Sequence, residues 1–222
     1  TLYQLGKSAA AAVQHAREQT AGLFNCTPEH VIFTSGGSES NNTVFQGLRH
    51  KLYEIGKKHI VVSAIEHDSV LRAAEMLTKD EFYITYVRPN EKGVVTADAV
   101  EAAIREDTGL VSVMYVNNET GAVNNIHAIG QICKIHSALF HTDCVQAAGQ
   151  FPIDVDADYI DFASVSSHKL YGPKGVGALY VRDRNFSPLI SGGAEQEFGL
   201  RGGTENVYGI VGSVSYTHLR AH

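Results

Sequence analysis

The chain has 222 residues, of which 44% are hydrophobic and 19% are charged, a composition typical of a globular protein with enough mass for a substantial core. Its formal net charge of -6 is spread over the sequence with both signs mixed, so it has no basic stripe for a nucleic-acid backbone and no polybasic flank for a membrane surface. No apolar run approaches the roughly 20 residues that a membrane helix needs. We therefore expect no nucleic-acid partner and no membrane partner.

The cysteine pattern limits the cellular compartment and the metal chemistry. Cys26, Cys133 and Cys144 lie far apart in the sequence and form no CxxC pair. An odd number of widely spaced cysteines suggests neither a disulfide framework nor a zinc site. The pattern favours a reducing cytoplasm, and we expect no metal centre.

In chain order, the first predicted element is an Ala-rich helix over "KSAAAAVQHAREQTAGLF". Helical stretches also lie between most of the strand-like runs that follow, such as "TADAVEAAIRED", for which Thr96 is the predicted N-cap, and "IHAIGQICKIHSA". The short β-branched runs are "HVIFTS", "HIVVSAI", "FYITYV", "LVSVMYVN", "ALFH", "DFASV" and "VGALYVR". Because these runs are continuously apolar, they are typical of strands covered on both faces. The predicted fold class is α/β, a mostly parallel sheet flanked by helices in an α/β/α sandwich.

The alternation of strands and helices stops after about Arg184. The segment "EQEFGLRGGTENVYGIVG" is predicted to be a loop followed by the start of a helix, and the last ten residues, "SVSYTHLRAH", have no clear periodic pattern. The first residues, "TLYQLGKSAA", are typical of the approach to a helix already inside a domain. We expect an N-terminal segment to precede them in a longer protein.

Polar residues follow five of the predicted strands. The segments are "TSGGSESNN", "EHDS", "NNETG", "TDCVQ" and "SSHK". In open α/β sheets, ligands bind beyond the carboxyl ends of the strands, where loops lead into helix N-termini. One such segment is compatible with an ordinary loop, whereas five together predict a polar ligand site at one edge of the sheet.

The segment "TSGGSESNN" places two glycines and a hydroxyl group before a predicted helix. Backbone N–H groups and the positive end of a helix dipole can hold a phosphate there, although a plain glycine turn is an equally good interpretation of this motif alone. No GK[ST] follows, and the chain has no GxGxxG, so the usual nucleotide-binding motifs are missing. The predicted phosphate belongs to another kind of ligand.

Lys169 follows the predicted strand "DFASV". A lysine in a partly desolvated site can act as a nucleophile and form a Schiff base, and the alternative is an ordinary surface lysine. Its neighbours favour the first interpretation, because Ser166 and His168 can donate to a phosphate and Asp143 lies at another strand end. An aspartate facing a pyridine nitrogen keeps the ring protonated. Together these residues predict a site for pyridoxal 5'-phosphate.

Two further residues complete this interpretation. Lys174 is the alternative Schiff-base lysine, but it follows Pro173 and lies farther from the strand end. His67 opens a predicted helix, where it can stack on the cofactor ring and exchange protons near neutral pH. The alternative for His67 is a solvent-facing histidine at the start of a helix.

These motifs resemble those of the cysteine desulfurase branch of the class V aminotransferases. The segment "SSHKLYGPKGVGALYVR" is similar to the cofactor-lysine segment of that family, and "TSGGSESNN", "EHDSV", "VNNETG", "HTDCVQAAGQ" and "GGAEQEFGLRGGTENV" are similar to its other site motifs in the same order. The resemblance covers roughly Leu5 to Gly212. It implies the large domain of a fold type I enzyme that uses pyridoxal 5'-phosphate.

The resemblance implies a role for each site residue. Lys169 would form the Schiff base, and His67 would stack on the ring and act as acid and base. Asp143 would bind the pyridine nitrogen. Asn118 and Gln146 would bind the phenolic oxygen of the cofactor. Its phosphate would be bound by Gly37, Ser38, Ser166 and His168. In a homodimer, Thr204 would bind the phosphate of the cofactor held in the partner subunit's site. Family members usually have threonine at the position of Ser38.

The resemblance also implies an activity and a domain organisation. The enzyme would convert L-cysteine to L-alanine and pass the sulfur to an enzyme cysteine as a persulfide, for an acceptor protein such as an iron–sulfur scaffold. The family's small domain, with its sulfur-accepting cysteine and its substrate-binding arginine, is not recognisable here. We therefore expect residues 1–212 to be the cofactor-binding large domain and residues 213–222 to be a tail outside the family pattern. The alternatives are a selenocysteine lyase, another class V enzyme or a catalytically incomplete fragment.

Overall fold

The computed structural model describes residues 3–193 and 195–214, in which helices pack on both faces of one sheet. The strands are β1 (Val31–Thr34), β2 (His59–Ser63), β3 (Tyr83–Val87), β4 (Thr108–Ser112), β5 (Leu139–Asp143), β6 (Phe162–Ser166) and β7 (Gly177–Val181). The helices are α1 (Gln4–Phe24), α2 (Gly37–Glu54), α3 (Asp68–Leu77), α4 (Ala97–Ala103), α5 (Ile126–Ile135) and α6 (Val207–Val214). Each of the seven predicted strand runs overlaps one of these strands.

The sheet is mostly parallel, in the order β1-β7-β6-β5-β4-β2-β3. Strand β7 is antiparallel to both of its neighbours, β1 and β6, whereas the other neighbouring pairs are parallel. This arrangement confirms the predicted α/β class. It also brings the carboxyl ends of β1, β2, β4, β5 and β6 to the same edge of the sheet.

Both faces of the sheet are covered by apolar side chains. In β2, which is buried throughout, Ile60 and Val62 join the core beneath α2 and α3, while Val61 joins the core on the opposite face. The second core includes Val13 from α1 and Ile129 from α5. Successive residues of a strand point to opposite faces, so a strand buried on both faces needs a continuous apolar run.

Local capping agrees with the sequence pattern. The Thr96 hydroxyl accepts a hydrogen bond from the Ala99 N–H at 3.3 Å, so the predicted N-cap of α4 is confirmed. The Asn125 side chain caps α5 by accepting from the Ala128 N–H at 3.1 Å. Asn25 ends α1 in the left-handed conformation with φ 53°.

Strand β4 is shorter than its predicted run, which continues to Asn117. Beyond Ser112 the chain still bonds to the β5 side, where the Val113 N–H donates to the His141 carbonyl at 3.2 Å. On the β2 side, however, the Glu66 carboxylate accepts the Met114 N–H at 2.5 Å. A side chain thus replaces the neighbouring strand, and β4 ends there.

The C-terminal part contains the predicted loop and the start of the predicted helix. A short 3-10 turn spans Gln196–Gly199, and α6 begins at Val207. Of the predicted tail, residues 213 and 214 lie in α6 and residues 215–222 lie outside the described residues. Among the helices of the described ranges, none combines the length and apolarity that a membrane crossing requires.

Candidate active site

Turns at the ends of five strands surround one cavity of about 190 Å³. Residues from all five polar segments predicted to form a ligand site line this cavity. Nine of the ten predicted site residues are among them: Gly37, Ser38, His67, Asn118, Asp143, Gln146, Ser166, His168 and Lys169. The tenth, Thr204, is exposed and lines a separate cavity of about 90 Å³ together with Arg201 and Glu205.

Asp143 is the buried acid of the cavity, with 4% of its surface exposed. Its two carboxylate oxygens accept hydrogen bonds from the Val145 N–H at 2.9 Å and from the Asn41 amide at 2.8 Å. Burial raises the pKa of Asp143, although both hydrogen bonds and nearby His67 act to lower it. No cationic side chain forms an ion pair with it among the residues that the structure describes. The carboxylate is therefore suited to a cationic group of a ligand in the cavity.

Lys169 lies in the 3-10 turn Ser167–Leu170, immediately after β6. It lines the cavity but is exposed rather than partly desolvated as predicted, because the turn extends past the end of the strand. The alternative, Lys174, is not among the residues that line this cavity. Ser166 and His168, on either side of the turn's first residue, bond to each other through Oγ and Nδ1 at 2.9 Å.

The N-terminus of α2 forms another wall of the cavity. Its N-cap residue, Gly36, makes no side-chain capping bond, so the first N–H groups of the helix are available to an anion. Gly37 has no room for a side chain, because a Cβ there would lie 2.7 Å from Val145 Cγ2. The close packing holds this turn against the segment that follows Asp143.

His67 is the N-cap of α3 and lies at the cavity wall. Its Nδ1 accepts the Ser69 N–H at 3.1 Å and lies 2.8 Å from Ser69 Oγ. Ser69 Oγ in turn accepts from the Asn41 amide at 2.9 Å. Neither Asn41 nor Ser69 was identified as a site residue from the sequence, although both lie in the polar segments that follow β1 and β2.

Asn117 shapes the turn that presents Asn118. The Asn117 side-chain oxygen accepts from the N–H groups of Glu119 and Thr120, at 3.1 and 2.8 Å, and its amide donates to the Ile65 carbonyl at 2.8 Å. This turn is the side-chain-bonded type that asparagine favours. Asn118 is thereby fixed at the cavity wall next to the segment that carries His67.

Glu66 is a buried acid whose role is not evident from the sequence. One carboxylate oxygen holds the Met114 N–H, and the other has no hydrogen-bond partner among the described residues. Burial raises the pKa of Glu66 well above its ordinary value, and the nearby Asp143 adds to the increase. Protonation of Glu66 would remove the repulsion between its carboxylate and that of Asp143. It lies in "EHDS", one of the five polar segments predicted to form the ligand site, but no role was predicted for it.

The three cysteines have free thiols and lie outside the residues that line the cavity. Burial raises the pKa of Cys26 to about 12 and also raises those of Cys133 and Cys144. Cys144 is fully buried beside Asp143. In the described part of the chain, no group of three or more His, Cys, Asp or Glu side chains is arranged to hold a metal ion.

A protein-family model described as aminotransferase class-V matches residues 1–218. The chain belongs to the class V aminotransferase family. Within this family, it is 43% identical over 213 residues to the cysteine desulfurase IscS of Shewanella sediminis (strain HAW-EB3), an alignment that covers 95% of this chain and 52% of the relative. It is also 45% identical over 210 residues to the cysteine desulfurase IscS of Pseudomonas entomophila (strain L48), covering 93% and 52%.

The similarity extends to three dimensions. A solved structure described as SspA in complex with cysteine superposes with a TM-score of 0.94 at 43% identity, covering 98% of this chain and 63% of that one. These matches confirm the resemblance to cysteine desulfurases inferred from the motifs, and the α/β/α architecture is that of the fold type I class V proteins. The chain spans about half the length of the curated relatives that it matches.

Proposed function

We propose that this chain is the cofactor-binding large domain of a cysteine desulfurase that uses pyridoxal 5'-phosphate. The observation that carries the proposal is a single cavity that combines Lys169, the buried carboxylate of Asp143 and the open N-terminus of α2. The names of the curated relatives support desulfurase activity. The structural neighbour described in complex with cysteine favours L-cysteine as the substrate over its selenium analogue.

The residues present fit the cofactor. Buried charges in proteins are paired, and Asp143 has hydrogen bonds but no cation partner among the described residues, so a protonated ring nitrogen would satisfy it. Ser38, in the first turn of α2, and Ser166 and His168 line the same cavity and carry groups that can donate to phosphate. Asn118 and Gln146 are amides on the same cavity and would bond the phenolic oxygen.

When bound, the cofactor supplies an aldehyde that captures amines and a ring that stores an electron pair. Lys169 would hold the cofactor at rest and, as a free amine, remove the proton from the substrate Cα. His67 would stack on the ring and act there as acid and base. The products would be L-alanine and a persulfide on an enzyme cysteine.

The sulfur-accepting cysteine lies, in this proposal, outside the residues described here. A thiol reacts as its thiolate, and burial raises the pKa of Cys26, Cys133 and Cys144. A fully buried Cys144 also cannot travel to a substrate sulfur. The chain alone would bind the cofactor without transferring sulfur, and the complete enzyme would pass sulfur to an acceptor such as an iron–sulfur scaffold.

The proposal includes a homodimer in a reducing compartment such as the cytoplasm. Thr204 is exposed and lines a cavity distinct from that of Lys169, as a residue serving a partner's site would. The free thiols are consistent with the reducing compartment.

Borohydride reduction tests the proposal directly. The chain is incubated with pyridoxal 5'-phosphate while its visible absorption spectrum is recorded. It is then reduced with borohydride and digested for peptide mapping. We expect a visible band and a pyridoxyl group on Lys169, both lost in Lys169→Ala and both retained in the control Lys174→Ala. A label on Lys174, or no specific label in the wild-type chain, would contradict the proposal.

A further inference from the structure

Four side chains form one continuous hydrogen-bonded line from the floor of the cavity to its rim. The Asn41 amide nitrogen donates to Asp143 Oδ2 at 2.8 Å and to Ser69 Oγ at 2.9 Å. Ser69 Oγ then lies 2.8 Å from His67 Nδ1, which also accepts the Ser69 backbone N–H at 3.1 Å. The line therefore joins the buried acid to the histidine at the rim through three hydrogen bonds.

The direction of each hydrogen bond follows from its neighbour. An ionised carboxylate can only accept, so Asn41 must turn its NH₂ group towards Asp143. The other hydrogen of that NH₂ group goes to Ser69 Oγ, and the Ser69 backbone N–H donates to His67 Nδ1, so Nδ1 is an acceptor and the Ser69 hydroxyl donates its hydrogen to it. A ring nitrogen that accepts two hydrogen bonds carries no proton. The proton of neutral His67 is then on Nε2.

We propose that Asn41 and Ser69 are positioning residues that fix the tautomer of His67 and link it to the charge of Asp143. A change at either end of the line would affect the other end. A protonated Asp143, for example, could itself donate a hydrogen bond, and the Asn41 amide could then rotate to turn its oxygen towards the carboxyl group. Asn41 is 1% exposed, so its amide is shielded from solvent. Only the role of His67 as acid and base rests on the proposed function, whereas its tautomer is a property of this chain.

Nuclear magnetic resonance of the chain labelled with ¹⁵N-histidine tests the proposal without cofactor or turnover. Long-range ¹H–¹⁵N spectra distinguish the two neutral tautomers, and a His67→Gln variant identifies the His67 signals among the 11 histidines. We expect wild-type His67 to carry its proton on Nε2 at a pH where the ring is neutral. In Ser69→Ala, the ratio of the Nδ1–H form to the Nε2–H form should rise about fivefold, the effect of losing one ordinary hydrogen bond.

Further variants distinguish an effect of this hydrogen-bonded line on the tautomer ratio from a general loss of structure. Asn41→Ala should change the ratio in the same direction, because the Ser69 hydroxyl is then free to rotate, and Ser69→Thr should restore the wild-type ratio. Asn42→Ala is the matched control, since within the described residues the Asn42 amide donates to the backbone carbonyls of Ser38 and Ser69, at 2.9 and 3.4 Å, and to no side chain of the line. It should leave the ratio unchanged.

The outcomes are independent of the cofactor experiment. An unchanged ratio in a folded Ser69→Ala, judged by the dispersion of its amide spectrum, would overturn the proposal and leave the backbone N–H as the group that sets the tautomer. An Nδ1–H form in the wild-type chain would also overturn it. Failure to label Lys169 would instead remove the proposed function and leave the result on His67 intact.

Discussion

Arg17 and Glu197 lie 180 positions apart in the sequence and form a two-pronged ion pair, with 6% and 3% of their side chains exposed. Both hydrogen bonds are 2.7 Å long, and the Glu197 carboxylate also accepts the Phe33 N–H at 2.7 Å. The guanidinium carbon also lies 4.8 Å from the ring centre of Phe33 and 5.1 Å from that of Phe198. The segment that leads to Thr204 is thus fastened to β1 and α1.

Replacing Glu197 by alanine should destabilise the fold by about 3–5 kcal/mol, because a buried guanidinium is left without its partner. The free energy of unfolding from urea denaturation measures the effect. The matched control is Asp183→Ala, which breaks the more exposed Lys51–Asp183 pair and should cost at most about 1 kcal/mol. Equal costs for the two variants would show that burial of the pair does not matter.

Asp143→Ala should slow removal of the substrate Cα proton on the order of a hundredfold, since the variant loses a fixed charge placed to stabilise the reaction. Exchange of the L-alanine Cα hydrogen with deuterium, followed by nuclear magnetic resonance in the presence of cofactor, measures this step without sulfur transfer. Asp183→Ala is again the control. Unchanged exchange in Asp143→Ala would exclude Asp143 as the partner of the ring nitrogen.

Thr204→Ala should weaken cofactor binding about tenfold in the dimer, the effect of losing one hydrogen bond to a charged phosphate. Sedimentation first gives the protein concentration at which the dimer dissociates. Cofactor titrations above that concentration should show the weaker binding of Thr204→Ala, and titrations below it should not. Thr78→Ala, which removes an exposed hydroxyl at the end of α3, serves as the control. A strictly monomeric chain with full cofactor affinity would remove Thr204 from the site.

His141 makes stability depend on pH below neutrality. Burial between Ser112 and Ser164 lowers the pKa of His141 from 6.5 to about 3. Between these two values the unfolded chain binds a proton that the folded chain does not, so stability rises with pH through this window and falls on acidification, at most about 1.4 kcal/mol per pH unit. Comparing urea denaturation of wild type and His141→Gln from pH 7 to pH 4 isolates this contribution. Curves of identical pH dependence would contradict it.

The cysteines should be unreactive in the folded chain. With the pKa of Cys26 raised to about 12 and those of Cys133 and Cys144 also raised, alkylation at pH 8 should be at least about a hundredfold slower than for free cysteine. Mass spectrometry of iodoacetamide-treated protein gives the rate for each site.

L-cysteine incubated with the chain and cofactor should likewise yield no alanine or sulfide above the free-cofactor background. Turnover abolished by Cys144→Ser would identify Cys144 as the nucleophile.

The amino-acid pattern was sufficient for the strands but not for all of their directions. The run containing β7 is continuously apolar like its neighbours, and burial on both faces leaves no mark of whether a strand is parallel or antiparallel. The early end of β4 was equally hidden, because it depends on Glu66, which lies 48 positions away in the sequence. Thr96 could be predicted as a cap because its bond to Ala99 is local.

The same distinction applies to the site. Groups at strand ends, such as Lys169 and Asp143, could be assigned to one cavity because parallel strands end at a common edge. Asn41 could not be assigned, because its partners Ser69 and Asp143 lie 28 and 102 positions away and nothing in "TSGGSESNN" distinguishes it from the polar residues around it. Contacts of this kind depend on side-chain geometry that no spacing rule describes.

The reversed direction of β7 makes the segment with Lys169 a hairpin loop, closed by the pairing of Ser166 with Gly177 and by the Ser167 N–H bond to the Val176 carbonyl at 3.0 Å. The turns after β1 and β2 lead directly into α2 and α3, so a change in their length would disturb the packing of those helices. A hairpin loop pinned at its base can gain or lose residues while both strands stay in register. Insertions or deletions in this loop would therefore change how far Lys169 extends into the cavity without altering the pairing of the sheet.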